Sequence, residues 1–378
     1  IVFKGTKMTY QNIHLNKGWN WVSFNVANED MNNLDIFLAN GTWGSKSTVK
    51  SLAKASAYSV QHKEWYNLDS LTLNNKNMFK IYSDEEQVLS VAGTAANPSN
   101  TVITVEKGWN YIAYVPSTNM PLNYALSGYE AKSGDIIKSI DGFAMYHGNE
   151  WIGSLTYMQP NMGYMLKRMS TSSSRKFFYP TSASSLRSAS VASEAKASEF
   201  ESNMSIIAYV PDFEDGDIVN AVVNGKENRA VPVKLEDDKT VEFINVSADR
   251  NEEIKFTLER GGKRLTASNS MKFEKDAVYG TPDQPVVLNF VWEEREEGLT
   301  ITPNPVEDEM NVQGHFAQDG KATIEVFDVL GNVIYVGEVE VANGNVNTTI
   351  NAAQMAAGSY ILTVSINGET SVAKVLKK

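Results

Sequence analysis

Asp212, Glu214, Asp215 and Asp217 crowd four carboxylates around Gly216, the density of oxygen donors that a calcium ion requires. The EF-hand spacing is missing, so the segment reads either as a calcium loop or as a solvated acidic loop, and calcium is the one cofactor suggested. A second acidic run, Glu293, Glu294, Glu296 and Glu297, reads as a hydrated hinge. The four histidines, His14, His62, His147 and His315, are too scattered for a zinc motif. Cysteine is absent, which removes disulfides, thiolate nucleophiles and Cys-bound metals. No nucleophile elbow, phosphate loop or dinucleotide fingerprint occurs. Among 45 acidic residues, carboxylate pairs arise by chance and nominate no glycosidase. No catalytic site is expected, and the chemistry left is aromatic stacking.

The aromatic residues belong to an internal repeat. Leu15 to Phe24, LNKGWNWVSF, recurs as Val105 to Tyr114, VEKGWNYIAY. Val49-Lys50-Ser51 then matches Ile137-Lys138-Ser139, Tyr58 matches Tyr146, Trp65 matches Trp151, and Asn77-Met78 matches Asn161-Met162. Gly5-Thr6 stands before the first GWN as Gly93-Thr94 stands before the second, so Ile1 to Thr6 is expected to be the last strand of an earlier, truncated repeat. Within a copy the pattern alternates, with Trp19, Trp21 and Ser23 on one face and Asn20, Val22 and Phe24 on the other, which predicts a strand. Burying one tryptophan is worth on the order of 4 to 6 kcal/mol. Trp19, Trp65, Trp109 and Trp151 are therefore expected in cores, whereas Trp21 and Trp43, which the second copy lacks, are candidates to stack on a sugar. Gly18 and Gly108 supply the turn before the strand.

Composition limits the partners. A formal charge of -11 without a basic stripe argues against nucleic acid. No run of about 18 apolar residues marks a membrane span, and IVFKGTKMTYQN is no signal peptide, so an exported form would carry its signal further upstream. The expected class is all-β and multidomain: repeats at 7–94 and 95–180, a Ser/Ala-rich mobile linker at 181–202, a small antiparallel β-sandwich at 203–292 and an Ig-like C-terminal sandwich at 298–378. Lys176 to Tyr179 closes the second repeat.

The repeats resemble the GWNW-type modules of large secreted Bacteroidetes proteins, through Gly134-Asp135-Ile136-Ile137-Lys138-Ser139 and the closing Gly163-Tyr164-Met165-Leu166-Lys167. The first copy departs at Ser47 to Ser51 and Met78 to Tyr82. Residues 203–292, opening Asn203-Met204 and closing YGTPDQPVVL, are similar to a β-module found beside type IX sorting domains. The end of the chain resembles a type A sorting domain of the type IX (Por) pathway, with Pro303-Asn304-Pro305, Asp328 and Gly331, Gly358 and Tyr360, and the basic Lys374, Lys377 and Lys378 in the family's order.

That resemblance implies export through the periplasm to the medium or cell surface. It also implies the type IX translocon and its outer-membrane shuttle barrel as partners, and lipopolysaccharide as the final anchor. Residues 360–378, a strand edge and a basic strand, are the expected recognition surface. For the body, a non-catalytic binding or adhesion role toward a glycan or a host or matrix protein is the leading expectation. The rivals are the accessory region of a larger secreted peptidase or glycoside hydrolase, and a spacer stalk.

Overall fold

The computed structural model describes residues 8–66, 69–170, 173–181, 197–290, 299–316, 318–342 and 344–378. Ile1 to Thr6, most of the 181–202 linker and the Glu293–Glu297 run lie outside the described residues. The chain is all-β, the described residues holding besides strands two single-turn α-helices and a 3-10 turn at Glu29–Asn32, and it divides into two units, Ile1–Val291 and Trp292–Lys378.

In the first unit, strands Gly18–Val22, Phe79–Ser83, Thr48–Lys50, Ala55–Ser59 and Glu64–Tyr66 form one antiparallel sheet in that order. Gly108–Ala113, Gly163–Arg168, Ile136–Lys138, Phe143–His147 and Glu150–Gly153 form a second sheet with the same order. A smaller sheet packs on each: Thr9–Leu15 with Gln87–Ala95 and Val26–Ala27 in one copy, Ile103–Val105 with Arg175–Phe177 in the other.

The reason for G-W-N is local. Gly18 and Gly108 have φ of 108° and 84°, left-handed values that a side chain resists. Asn20 then accepts from Asn16 N (3.0 Å) and donates to the carbonyls of Asn16 (2.8 Å), Gly18 (3.0 Å) and Ile81 (3.4 Å). Asn110 repeats the set with Glu106 N, Glu106 O, Gly108 O and Leu166 O. A buried amide thereby satisfies both the turn and the neighbouring strand. The helices Leu34–Phe37 and Leu122–Ala125, too short to show a period in sequence, position one more shared contact: Asp35 and Asn123 accept from the amides of Trp65 and Trp151 at 2.8 and 2.7 Å.

Met204–Tyr209 begins a two-sheet sandwich. It pairs with Thr240–Val246, beyond which lies Val231–Lys234, and faces a sheet of Lys226–Arg229, Ile218–Val223, Glu253–Arg260 and Lys263–Lys272. The expected antiparallel order holds except at Val278–Tyr279 and Val286–Val287, which run parallel to Met204–Tyr209. They are separated by Gly280, at φ 78°, where a Cβ would strike Ile207 O. Apolar contacts join this sandwich to the second repeat, with Phe143 against Phe243 at a centroid distance of 5.0 Å, while Trp21, Met78, Tyr111, Ile140 and Met165 join the two repeats.

The described end of the linker, 197–202, is not mobile coil but a clasp. Ser198 exchanges two backbone bonds with Trp19 (2.7 and 3.0 Å). Glu201 receives Trp21 Nε1 on its carbonyl (3.2 Å) and pairs its carboxylate with Lys50 (2.5 Å) and Lys275 (2.8 Å). Lys80 donates to Ser202 Oγ (2.8 Å) and Lys138 to Asn203 O (3.0 Å), while Asn203 Nδ2 reaches Ser139 O (2.9 Å) and Ile140 O (3.0 Å). Short polar residues serve here through hydrogen bonds rather than apolar area, so their composition reads as linker.

Lys80 and Lys138 have no exposed surface. Burial pushes the Lys80 ammonium down to about 8 and that of Lys138 down to about 7, opposed first by Asp276 in both cases. Because the folded value lies below the unfolded one, stability falls as pH drops through the folded value. The stability of the parent relative to Lys80→Met is expected to improve by up to about 3 kcal/mol between pH 8 and pH 10.5, measured by urea unfolding at several pH values. Asn110→Ala strips three carbonyls and one amide of their partner and is expected to cost about 2 to 4 kcal/mol in the same assay.

Candidate functional site

The second unit is itself a two-sheet sandwich. Thr300–Thr302, Glu309–His315 and Asn345–Asn351 form one sheet, and Val333–Val341, Gly320–Asp328, Gly358–Ile366 and Glu369–Lys377 form the other. Met310, Val312, Ile324, Val326, Leu362 and Val364 fill the space between them.

Each motif of the terminal segment has a task in closing this sandwich. Pro303 and Pro305, both preceded by cis peptides, bend the chain so that Asn304 lies alongside the last strand. There Asn304 Nδ2 donates to Lys374 O (2.8 Å) and Asn304 Oδ1 accepts from Leu376 N (2.9 Å). Val306 continues the pairing, donating to Leu376 O (2.7 Å) and accepting from Lys378 N (3.0 Å). Neither proline has an N–H to lose to this arrangement, and the asparagine side chain mimics one residue of a ladder.

Asp328 organises the hairpin turn: its carboxylate accepts from Leu330 N (2.8 Å), Asn332 N (2.9 Å) and Asn332 Nδ2 (2.8 Å). The Asn332 bonds in particular hold its carboxyl below the usual range. Gly331, at φ 84°, completes the turn. Tyr360 buries its ring and donates to Ala356 O (2.8 Å), with Gly358 leading the strand in. Lys374 and Lys378 are exposed and Lys377 half-buried; Lys378 Nζ reaches Glu307 at 3.4 Å. The recognition edge expected over 360–378 is therefore only partly open, because Asn304 and Val306 already occupy the backbone of Lys374 to Lys378.

Other expected site residues are placed differently. Trp21 is 2% exposed, covered by the clasp, with Lys80 Nζ 4.6 Å from its ring centroid. Trp43 is half-buried, donates to Leu38 O (2.9 Å) and packs edge-on against Trp65 (5.1 Å). Trp65 and Trp151 do lie in cores. Trp19 and Trp109, expected there too, are only half-buried on the outer sheet faces, where Lys50 and Lys138 sit 5.0 and 5.4 Å from their rings. Alternation gave the right pairing of Trp19 with Trp21 on one face; what it could not give is that a neighbouring module covers that face.

The acidic loop is occupied by a guanidinium. Arg260 donates to Asp217 Oδ1 (2.8 Å) and Oδ2 (2.5 Å), to Glu214 Oε1 (2.8 Å) and to Asp212 O (2.5 Å). The cation these oxygens attract is thus a side chain from 43 residues away in sequence at Asp217, and Asp215 stays exposed. The histidines also remain apart: His62 bonds Ser59 and Tyr66, His147 faces Asp283 and His315 faces Asn345.

Sequence reasoning missed a cleft of ≈ 690 Å³ within the first unit. Trp19, Phe200 and the buried Phe273 form its aromatic part, and Glu199, Asp249, Arg250, Asn251, Glu274 and Lys275 supply exposed polar groups. Apart from Trp19, the lining comes from the clasp and from loops of the adjoining sandwich, so no single sequence window contains it.

Residues 300–378 match a family described as the secretion system C-terminal sorting domain. No curated protein matches the chain. Among solved structures, a biofilm associated protein, its BSP domain, aligns over 98% of this chain and 59% of its own at 11% identity, with a TM-score of 0.18. That alignment spans less than two thirds of the other protein, and agreement of shape at this level carries no argument.

The closure by Asn304 yields a stability test. Asn304→Ala is expected to lower the melting temperature of the second unit, with a loss of about 1 to 2 kcal/mol from two partly exposed bonds, followed by calorimetry of the full chain. Bent at its prolines, tied at Asp328 and closed on its basic strand, the segment 300–378 is a type IX (Por) sorting domain, and the chain that carries it is an exported protein of the medium or the cell surface.

Proposed function

We propose that the exported chain is a non-catalytic binding or adhesion protein, with 300–378 as its address and the clasped first unit as its binding body. The observation that carries this reading is the cleft beneath Trp19. Two half-buried rings, Trp19 and Phe200, beside a guanidinium, an ammonium, four carboxylates and an amide suit a glycan, whose apolar ring faces stack on aromatics while its hydroxyls bond to charged and amide groups. A protein ligand with an aromatic or charged anchor is the second class that such a lining accommodates.

A binding role also fits the way potentially reactive groups are used. Ser202 Oγ and Lys80 Nζ are 2.8 Å apart, with Lys80 wholly buried and Ser202 6% exposed at the wall of the cleft. They tie the clasp.

The test is a glycan-array and calorimetric binding screen of the full chain against Trp19→Ala, Arg250→Ala and Asn251→Ala. Binding of a captured glycan is expected to weaken by about tenfold or more in the first two variants, with export unchanged. Affinities unaltered in all three would send the ligand elsewhere on the body.

A further inference from the structure

In the second unit, every large apolar side chain that stays exposed among the described residues lies on one sheet and its hairpin turn. The sheet carrying Glu309–His315 shows none. The concentration is greatest at the end of the hairpin formed by Gly320–Asp328 and Val333–Val341. Val329 and Leu330 are 75% and 84% exposed, and Val333, Ile334, Tyr335 and Val336 follow at 50%, 45%, 37% and 59%. Successive residues of a strand point to opposite faces, so four exposed neighbours mean that the edge strand over 333–336 stands in water on both faces, although Val326, opposite Tyr335, is buried in the core. Nearer the base, Val339 and Val341 are buried in the ordinary alternation.

A turn is where polar residues are favoured, and this one carries a valine and a leucine. It is also held rigid. The three bonds to the Asp328 carboxylate fix the loop before anything binds, which reduces the ordering cost of docking. A register shift at Val326/Phe327 re-aims the tip relative to the stem, a common use of bulges next to contact sites. The apolar surface continues onto the outer sheet face at Ile361 and Val372.

Charge selects the kind of partner. The hairpin bears Glu325, Asp328, Glu338 and Glu340 against one base, Lys321. An anionic membrane surface attracts basic segments and repels this one. A protein slot that is apolar inside and basic at its rim complements it. The terminal strand is a poorer dock, since Asn304 and Val306 hold the backbone of Lys374 to Lys378.

We propose that the hairpin Gly320–Val341 is the docking element of the sorting domain, its apolar tip seated in an apolar, basic-rimmed slot on a protein of the export machinery. This rests on the identification of 300–378 as a sorting domain.

The test follows export of the full chain in a type IX-competent host, comparing the parent with Val329→Ser/Leu330→Ser, Val333→Thr/Val336→Thr and Leu330→Met. Export of the two polar double variants is expected to fall by about tenfold or more, with their melting temperatures unchanged, while Leu330→Met is exported as the parent is. Normal export of both double variants overturns the proposal, as does tip-dependent binding to lipopolysaccharide vesicles with export intact. Deletion of 300–378 serves as the separate control: if the deleted chain is still exported, the sorting assignment fails, whereas retention of the deletion alone condemns only the hairpin.

Discussion

Two lysine amines without access to water organise the first unit. Desolvating a lysine is costly unless its hydrogen bonds and nearby charges are supplied by the protein. Lys80 finds Ser202 and the faces of Trp21 and Tyr111; Lys138 finds the Asn203 carbonyl and the ring of Trp109. Those partners come from three different modules and from the segment between them. No module can satisfy its lysine alone, so the repeats, the clasp and the sandwich are obliged to assemble together. The apolar contacts around Phe143 and Phe243 add area to that junction; the lysines make it specific.

The same junction defines how far the sequence could be read. The likeness of the two GWN segments was visible because Gly18, Asn20, Gly108 and Asn110 are demanded by local geometry, and local demands leave local patterns. The sandwich strands were visible through their alternation. Trp21 was misjudged because a strand's period gives its two faces and not what lies against them. Residues 197–202 were misjudged because a segment that binds through carbonyls, hydroxyls and one carboxylate has the composition of a linker. Arg260 was invisible as the occupant of the acidic loop since the two approach only when strands far apart in sequence pair.

The second unit was legible for a different reason. Its motifs are the residues that a two-sheet sandwich needs at its irregular points: a proline bend, an Asx-tied turn and a buried tyrosine with a satisfied hydroxyl. Each can be assigned a bond, and it was their resemblance to the sorting-domain family that carried the assignment. What the motifs did not disclose is the surface left over, since Val329 and Leu330 look like core residues until the turn places them outside.

One pairing in this module bears on time as well as shape. Val306 exchanges hydrogen bonds with Leu376 and Lys378, so its earliest segment is locked by its latest. Contacts that join such distant residues carry a large loop-closure cost and make folding slow relative to local structure. An incomplete molecule, lacking the last strand, leaves Asn304 and Val306 unpaired and the sandwich open. The module's fold is therefore closed only when its last strand is in place, and its beginning stays unpaired until its end has been made.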